Sequence, residues 1–377
     1  MPHNEKLQIN RMSNARCFMN TFELSFQQFA KDGDLLSLTL DHPEAQFTNV
    51  KLPWENCRAS LLATGILLVE PIQKVPGLKN IVISVGIHGN ETAPIEIANQ
   101  ITRDVAHGNL EVRHCILFVI GNPLAMVQGK RFIHENLNRL FKVKDSSMAP
   151  SLTEETTQNN IEYNRASSLK AIVKTFFKPE DDVSLEENNN FHYDLHTAIR
   201  ESVHEKFAIY PYKSDRSYSL DQLQFLLSSG INTVLFSHGP ASTFSYHSSR
   251  LYGAHAFTIE LGKVKKFGEN DMKKFTKISH ALRSLIAGIP IVTKPFFNDD
   301  FNLFEVCHEI IRTPDGFSFY MDDKVQNFES FPDNTLLWED NETCYKTSGD
   351  TEGIVFPNPN VPIGQRVALV IKPTSIN

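Results

Sequence analysis

The stretch over residues 81–100, IVISVGIHGNETAPIEIANQ, constrains this chain more than any other. Residues 81–85 are an apolar, largely β-branched run, the pattern of a strand buried on both faces. The run breaks at Gly86, and from about residue 91 the apolar positions recur with helical spacing. Asn90 is the expected N-cap, and Pro94 falls in the first turns, where a missing N–H does little harm. A buried strand feeding a covering helix is the building unit of an α/β sheet. The joint leaves His88 and Glu91 at the carboxyl end of the strand, where open sheets bind their ligands. His-x-x-Glu at such a turn can chelate one zinc ion.

The pair alone decides nothing. Among 14 histidines, about one accidental His-x-x-Glu is expected at ordinary glutamate frequency. A third ligand must come from another strand end, and FHYDLHTAIR offers His196. The plainer alternative is a histidine that merely caps a strand. Two ligands on one loop and a third from a distant strand leave a coordination position open, as in catalytic zinc sites. Asp194 is expected to point away from His196 in the extended segment and to bond a ligand histidine from outside the coordination sphere. Glu260 ends the apolar run AFTIE just before Leu261-Gly262, so it can serve as the base for a zinc-activated water. Its plainer reading is a surface carboxylate. KRFIHENLNRLF supplies Arg131, Asn138 and Arg139, where guanidinium forks suit carboxylates. A solvated basic face is the alternative for that stretch.

Around this site the pattern is strand, helix, strand. Strands are expected over residues 35–40, 65–70, 114–120, 191–195, 206–210, 233–236 and 254–259. Helices are expected near 22–31, 91–105, 161–177, 221–229 and 271–287. Residues 143–160 and 179–190 read as polar excursions. The fold class is therefore α/β: a mixed, mainly parallel sheet flanked by helices. From about residue 290 short alternating strands replace the helical period, which predicts a smaller C-terminal all-β domain. The expected division is 1–290 and 291–377.

Net charge −7, from 37 basic and 44 acidic residues, disfavours nucleic acid and anionic membranes as partners. Attraction of a small anionic substrate would then rest on a few placed arginines. Five scattered cysteines without a C-x-x-C pair suggest reduced thiols, and neither a signal region nor a membrane-length apolar run is seen. The expected location is the cytoplasm.

The strings GIHGNETAPIEI, GNPLAM, KRFIHENLNRLF, DLHTAIR, HEKFAIYPY and TIELGKVKKFG, in that order, carry a family resemblance. The chain resembles the succinylglutamate desuccinylases, in the aspartoacylase-like branch of the zinc carboxypeptidase superfamily. The resemblance implies a zinc carboxypeptidase-like fold and one zinc per chain, held by His88, Glu91 and His196. It implies Glu260 as general base, and Arg131, Asn138 and Arg139 as substrate contacts. The implied reaction hydrolyses N-succinyl-L-glutamate to succinate and L-glutamate, the last step of arginine catabolism by the succinyltransferase route. Two departures separate this chain from the aspartoacylases. Their Asp-Leu-Asn-Arg is Asn136-Leu137-Asn138-Arg139 here, and their Glu-Val-Gly-Pro is Glu260-Leu261-Gly262-Lys263. The first leaves the role of Asn136 open. Arg200 and Arg250 are further candidates for substrate carboxylates. The alternatives are a related N-acyl amino acid deacylase, such as an aspartoacylase, or a noncatalytic zinc-binding protein of the same fold.

Overall fold

The computed structural model describes residues 21–46, 49–73, 76–143, 160–177, 189–213, 217–291, 295–322 and 324–376. Most of both polar excursions falls outside them. A helical stretch over 21–32 precedes helix α1 (Leu35–Asp41). The apolar pattern of residues 35–40 predicts a strand, but the segment is helical. Asp34 caps it, accepting from Ser37 N at 2.9 Å, and Leu35, Leu38 and Thr39 share one buried face.

Strands β1 (Val50–Leu52), β2 (Arg58–Ala63) and β3 (Ile66–Glu70) form an antiparallel meander. β4 (Asn80–Val85), α2 (Thr92–Ala106) and β5 (Cys115–Ile120) follow, then the short helix α3 (Pro123–Val127) and α4 (Ile161–Phe177). Next come β6 (Asn190–Ala198), β7 (Phe207–Tyr210), α5 (Leu220–Ser228), β8 (Thr233–Phe236), α6 (Phe244–Tyr252), β9 (His255–Lys263) and α7 (Thr276–Ile286). β5, β4, β6 and β9 lie side by side and parallel, with β7 antiparallel to β9 at their flank. Every residue of β5 and β6 is buried, as expected for strands covered on both faces.

One covering layer places Ile95 and Ile101 of α2, Leu223 of α5 and Leu282 of α7 in a single core. The other places Leu169, Val173 and Phe177 of α4 with Phe244 of α6. Each such side chain contributes roughly 1.5–3 kcal/mol by leaving water. Helix α6 has no counterpart among the sequence expectations. Its FSYHSSRLY composition lacks an apolar stripe because it buries serines and a histidine against the sheet. None of the described helices is long and apolar enough to cross a membrane.

β10 (Asn302–Ile311) opens the C-terminal part, followed by β11 (Ser318–Phe319), β12 (Glu329–Ser330), β13 (Leu336–Glu339), β14 (Cys344–Lys346), β15 (Gly353–Val355) and β16 (Arg366–Pro373). Among the described residues no helix interrupts them. β10 pairs parallel with β8, so backbone hydrogen bonding runs unbroken from the α/β part through β10, β16, β15 and β12. β11, β13 and β14 make a separate three-stranded sheet. Cys57, Cys115, Cys307 and Cys344 form no disulfides.

Candidate active site

Because β4, β6 and β9 are parallel and in register, their carboxyl ends meet at one edge. Ser84 lies opposite Asp194, Asp194 opposite Thr258, and His196 opposite Glu260. Beyond β4 the chain turns at Gly86, whose φ of +61° lies in the left-handed region that favours glycine. Gly89 is required for a different reason: a Cβ there would stand 2.2 Å from Met126 N, against the backbone of α3. Helix α2 begins at Thr92, so Glu91 rather than Asn90 occupies the N-cap position. Glu91 makes no side-chain capping bond there, because its carboxylate turns into the site.

His88, Glu91 and His196 converge from the β4–α2 turn and from β6, all nearly inaccessible to solvent. One donor atom from each lies within 4.8 Å of the others. His88 Nδ1 is 2.8 Å from Glu91 Oε1, and His196 Nδ1 is 2.9 Å from Glu91 Oε2. The far nitrogen of each ring is engaged elsewhere. His88 Nε2 lies 2.9 Å from Asn136 Oδ1, an oxygen that also accepts from Asn138 N at 3.0 Å. His196 Nε2 lies 2.9 Å from Asp194 Oδ2. Asn136 and Asp194 accept on the Nε2 side, so with a cation held on the Nδ1 side each ring would keep its proton on Nε2 and offer an Nδ1 lone pair beside Glu91. Two lone pairs facing a carboxylate form an acceptor-only cradle that suits a divalent cation.

The charges support that reading. Burial, against the pull of Glu91, holds the His88 imidazole down to about 4, leaving it neutral near pH 7. Burial would protonate Glu91, but His88 and His196 outweigh it and hold the carboxyl well below its usual range. Asp194 is likewise kept ionised: burial is outweighed by His196 and by bonds from His196 and Ser84. His196 moves the other way, raised by the Asp194 and Glu91 carboxylates despite its burial. A metal ion would replace that proton.

Asp194 corrects one expectation. It does not point away from His196, because residues two apart on a strand share a face. Phe191, Tyr193 and Leu195 of β6 face the apolar core, while Asp194 and His196 face the hydrogen-bonded site.

Glu260 stands beside His196 on the neighbouring strand, buried, with no protein hydrogen bond to Oε2 among the described residues. Burial, reinforced by Glu91 and Asp194, pushes its carboxyl up to about 7. An acid poised near neutrality is what proton transfer requires. Arg131 Nη1 donates to Glu91 Oε1 at 2.7 Å, and Gly89 N donates to the Arg131 carbonyl, so this loop is pinned to the site. Asn138 is buried, and its Oδ1 accepts from Phe244 N at 2.9 Å, at the start of α6. Arg139 points outward, within electrostatic reach of Arg131 and Arg366. Arg200 reaches the carbonyl of Val325 instead, at 3.5 Å. Arg250 is exposed in the last turn of α6, which leads into the amino end of β9. That is the sheet edge opposite Glu260.

Comparison with known proteins shows the family. Residues 77–286 match the succinylglutamate desuccinylase/aspartoacylase catalytic domain. Residues 299–374 match the AstE/AspA barrel-sandwich hybrid domain. The chain belongs to the succinylglutamate desuccinylase/aspartoacylase family. The succinylglutamate desuccinylase of Shewanella amazonensis is 43% identical over 341 residues, covering 90% of this chain and 95% of that protein. The structure of the Vibrio parahaemolyticus enzyme of that name superposes with a TM-score of 0.78 at 36% identity. It spans 90% of this chain and 94% of its own. The Chromobacterium violaceum counterpart gives 0.74 at 32% identity, over 91% and 98%.

Three residues of this family member escaped the sequence reading. Asn136 orients His88, and its acceptor oxygen answers the question that the Asn-for-Asp departure raised. Glu162 of α4 is wholly buried and accepts from Asn122 Nδ2, Ile133 N and His134 N, which anchors the loop carrying Arg131. Its surroundings in the sequence mark it only as one glutamate in a helix. Arg366 begins β16, remote in sequence from every motif. No local pattern could have found it.

Proposed function

We propose that the protein is a zinc-dependent amide hydrolase that converts N-succinyl-L-glutamate and water to succinate and L-glutamate, the closing step of the succinyltransferase route of arginine catabolism. The observation that carries this reading is the acceptor-only cradle of His88, Glu91 and His196 with the neutral-range acid Glu260 beside it. Family membership and the names of relatives 43% identical support the substrate. A bound zinc ion supplies Lewis-acid polarisation of the acyl carbonyl and makes water more acidic. Glu260 takes the proton of the attacking water and returns it to the departing glutamate nitrogen. Arg131 donates to the oxygen that gains charge, a contribution of about 3 kcal/mol where one such donor has been removed elsewhere. Arg139, with Asn138 fixing its loop, meets a substrate carboxylate, and Arg366 adds positive charge at the same mouth. The substrate carries three carboxylates, so more than one cation is needed.

A division into a catalytic part, residues 1–290, and a C-terminal β part, residues 291–377, is supported by the bounds of the two family matches. The deciding experiment measures metal content and turnover on one sample, across succinyl-, acetyl- and peptidyl-glutamate and acetylaspartate. About one zinc per chain and a clear preference for succinylglutamate are expected. Equal or better turnover of acetylaspartate would sink the substrate assignment, and a metal-free native protein would sink the zinc.

A further inference from the structure

Asp194 does not hold His196 unaided. Its other carboxylate oxygen accepts from Ser84 Oγ at 2.5 Å, and Ser84 Oγ lies 2.8 Å from His192 Nε2. His192 Nδ1 in turn lies 2.8 Å from Ser248 Oγ. These four side chains come from β4, β6 and α6, and all have zero exposure. They are packed into a layer otherwise filled by Phe244, whose ring meets His192 edge-on at 4.6 Å. An apolar set would fill that space without four polar groups that must each find a partner.

The chemistry gives the chain one direction. Ser84 Oγ donates to Asp194 Oδ1, so its single proton is spent there. Ser84 must then accept from His192, which places the His192 proton on Nε2. The His192 Nδ1 lone pair is left to accept from Ser248. That ordering needs a neutral His192, and burial holds its imidazole down to about 4. At the other end Asp194 accepts at His196 Nε2, so a ring that binds a metal would keep its proton there and offer Nδ1, the nitrogen beside Glu91.

We propose that Ser84, His192 and Ser248 are positioning residues: a one-way hydrogen-bonded chain that orients Asp194 and, through it, fixes His196 as a divalent-metal ligand through Nδ1. This rests on the metal reading given under Proposed function.

The test uses the full chain, metal-free and zinc-loaded. Zinc affinity is measured by competition with a chromophoric chelator for the parent, Ser84→Ala and Ser248→Ala. The His192 tautomer is read from nitrogen chemical shifts of histidine-labelled parent protein at neutral pH. Ser84→Ala removes one oxygen, and its zinc affinity should fall roughly 10–100-fold, as for other outer partners of metal ligands. Ser248→Ala, two bonds further out, should lose less. His192 should be the neutral Nε2–H form with and without zinc. Zinc bound by Ser84→Ala as tightly as by the parent overturns the proposal. So does a His192 proton on Nδ1, or a loss of thermal stability in the metal-free variants with no change in zinc affinity. A parent chain that binds no zinc overturns the metal reading itself, a result distinct from zinc bound equally by all three proteins.

Discussion

Within a few ångströms at the ends of β4, β6 and β9, the protein buries Glu91, Asp194, His196 and Glu260. The strands after residue 302 bury Ile310, Leu337, Ile354, Val367 and Val370, and leave the Glu305–Lys372 ion pair facing solvent. Both regions are close-packed sheet, yet they use burial differently. In the C-terminal strands burial is stabilising in itself. At the strand ends it works against the ionised forms, and neighbouring charges must counter it. Concentrated, costly burial of that kind marks a site rather than a scaffold. The two regions also touch: Val203 N and the Glu201 carbonyl, in the loop after β6, pair with the backbone of Asn327. The scaffold thus grips the loop that follows His196, a candidate metal ligand.

The contrast breaks most visibly at Glu260. Glu260→Ala should retain zinc and lose roughly 10²–10⁴ in turnover. Near-normal rates on the metal-loaded variant would remove its role as base. The converse change is Ile354→Ala, in the core of the C-terminal strands, which should cost about 2–5 kcal/mol of stability by denaturant titration. Its turnover per folded molecule should be unchanged, and a large fall in kcat would mean that the scaffold takes a direct part in chemistry.

Glu260→Gln sharpens the comparison through pH. Burial pushes the folded carboxyl up to about 7 from its ordinary 4.5, so folding favours the protonated form. Below pH 4.5 both states are protonated and no penalty exists. The penalty grows as pH rises from 4.5 to about 7 and is complete above that, reaching up to about 3 kcal/mol. In metal-free protein Glu260→Gln should therefore raise the melting temperature at pH 8, with the gain fading toward pH 5. A gain independent of pH would disprove the linkage. The smallest effect is expected at Asn327, whose backbone straps down the loop after β6. Asn327 Oδ1 accepts from Phe356 N at 2.8 Å and holds Phe356 at a φ of +57°. Asn327→Ala should cost about 1–3 kcal/mol and raise KM more than it lowers kcat. An unchanged KM would detach the strap from the site.

Much of the site was legible because its parts obey local rules. His88 and Glu91 sit at a strand–helix joint that any reader of periodicity would find, and His196 and Glu260 end apolar runs. Residues 35–40 misled because apolar spacing in six residues fits either period, and Asp34 settled it by capping. Helix α6 was invisible because its buried face carries His247 together with Ser245 and Ser248, which bond Thr258 and His192, rather than a hydrophobic period. Asn90 lost the cap to Glu91 through a one-residue shift in where the helix starts. Asp194 was legible in principle, since strand periodicity puts it on the side of His196.

By itself the sequence determined the element types, the glycine-bounded turn and which side chains have the chemistry to bind a metal. These depend on neighbours a few residues away, where backbone geometry and side-chain spacing dominate. Only the tertiary structure decided that Asn136 and Asp194 hold the Nε2 atoms of His88 and His196. It alone decided that Glu162 anchors the arginine loop and that Arg366 lies within electrostatic reach of Arg139. Those pairings join residues brought together by strand register and helix packing, and hydrogen bonds of about 3 Å depend on that alignment, not on separation along the chain.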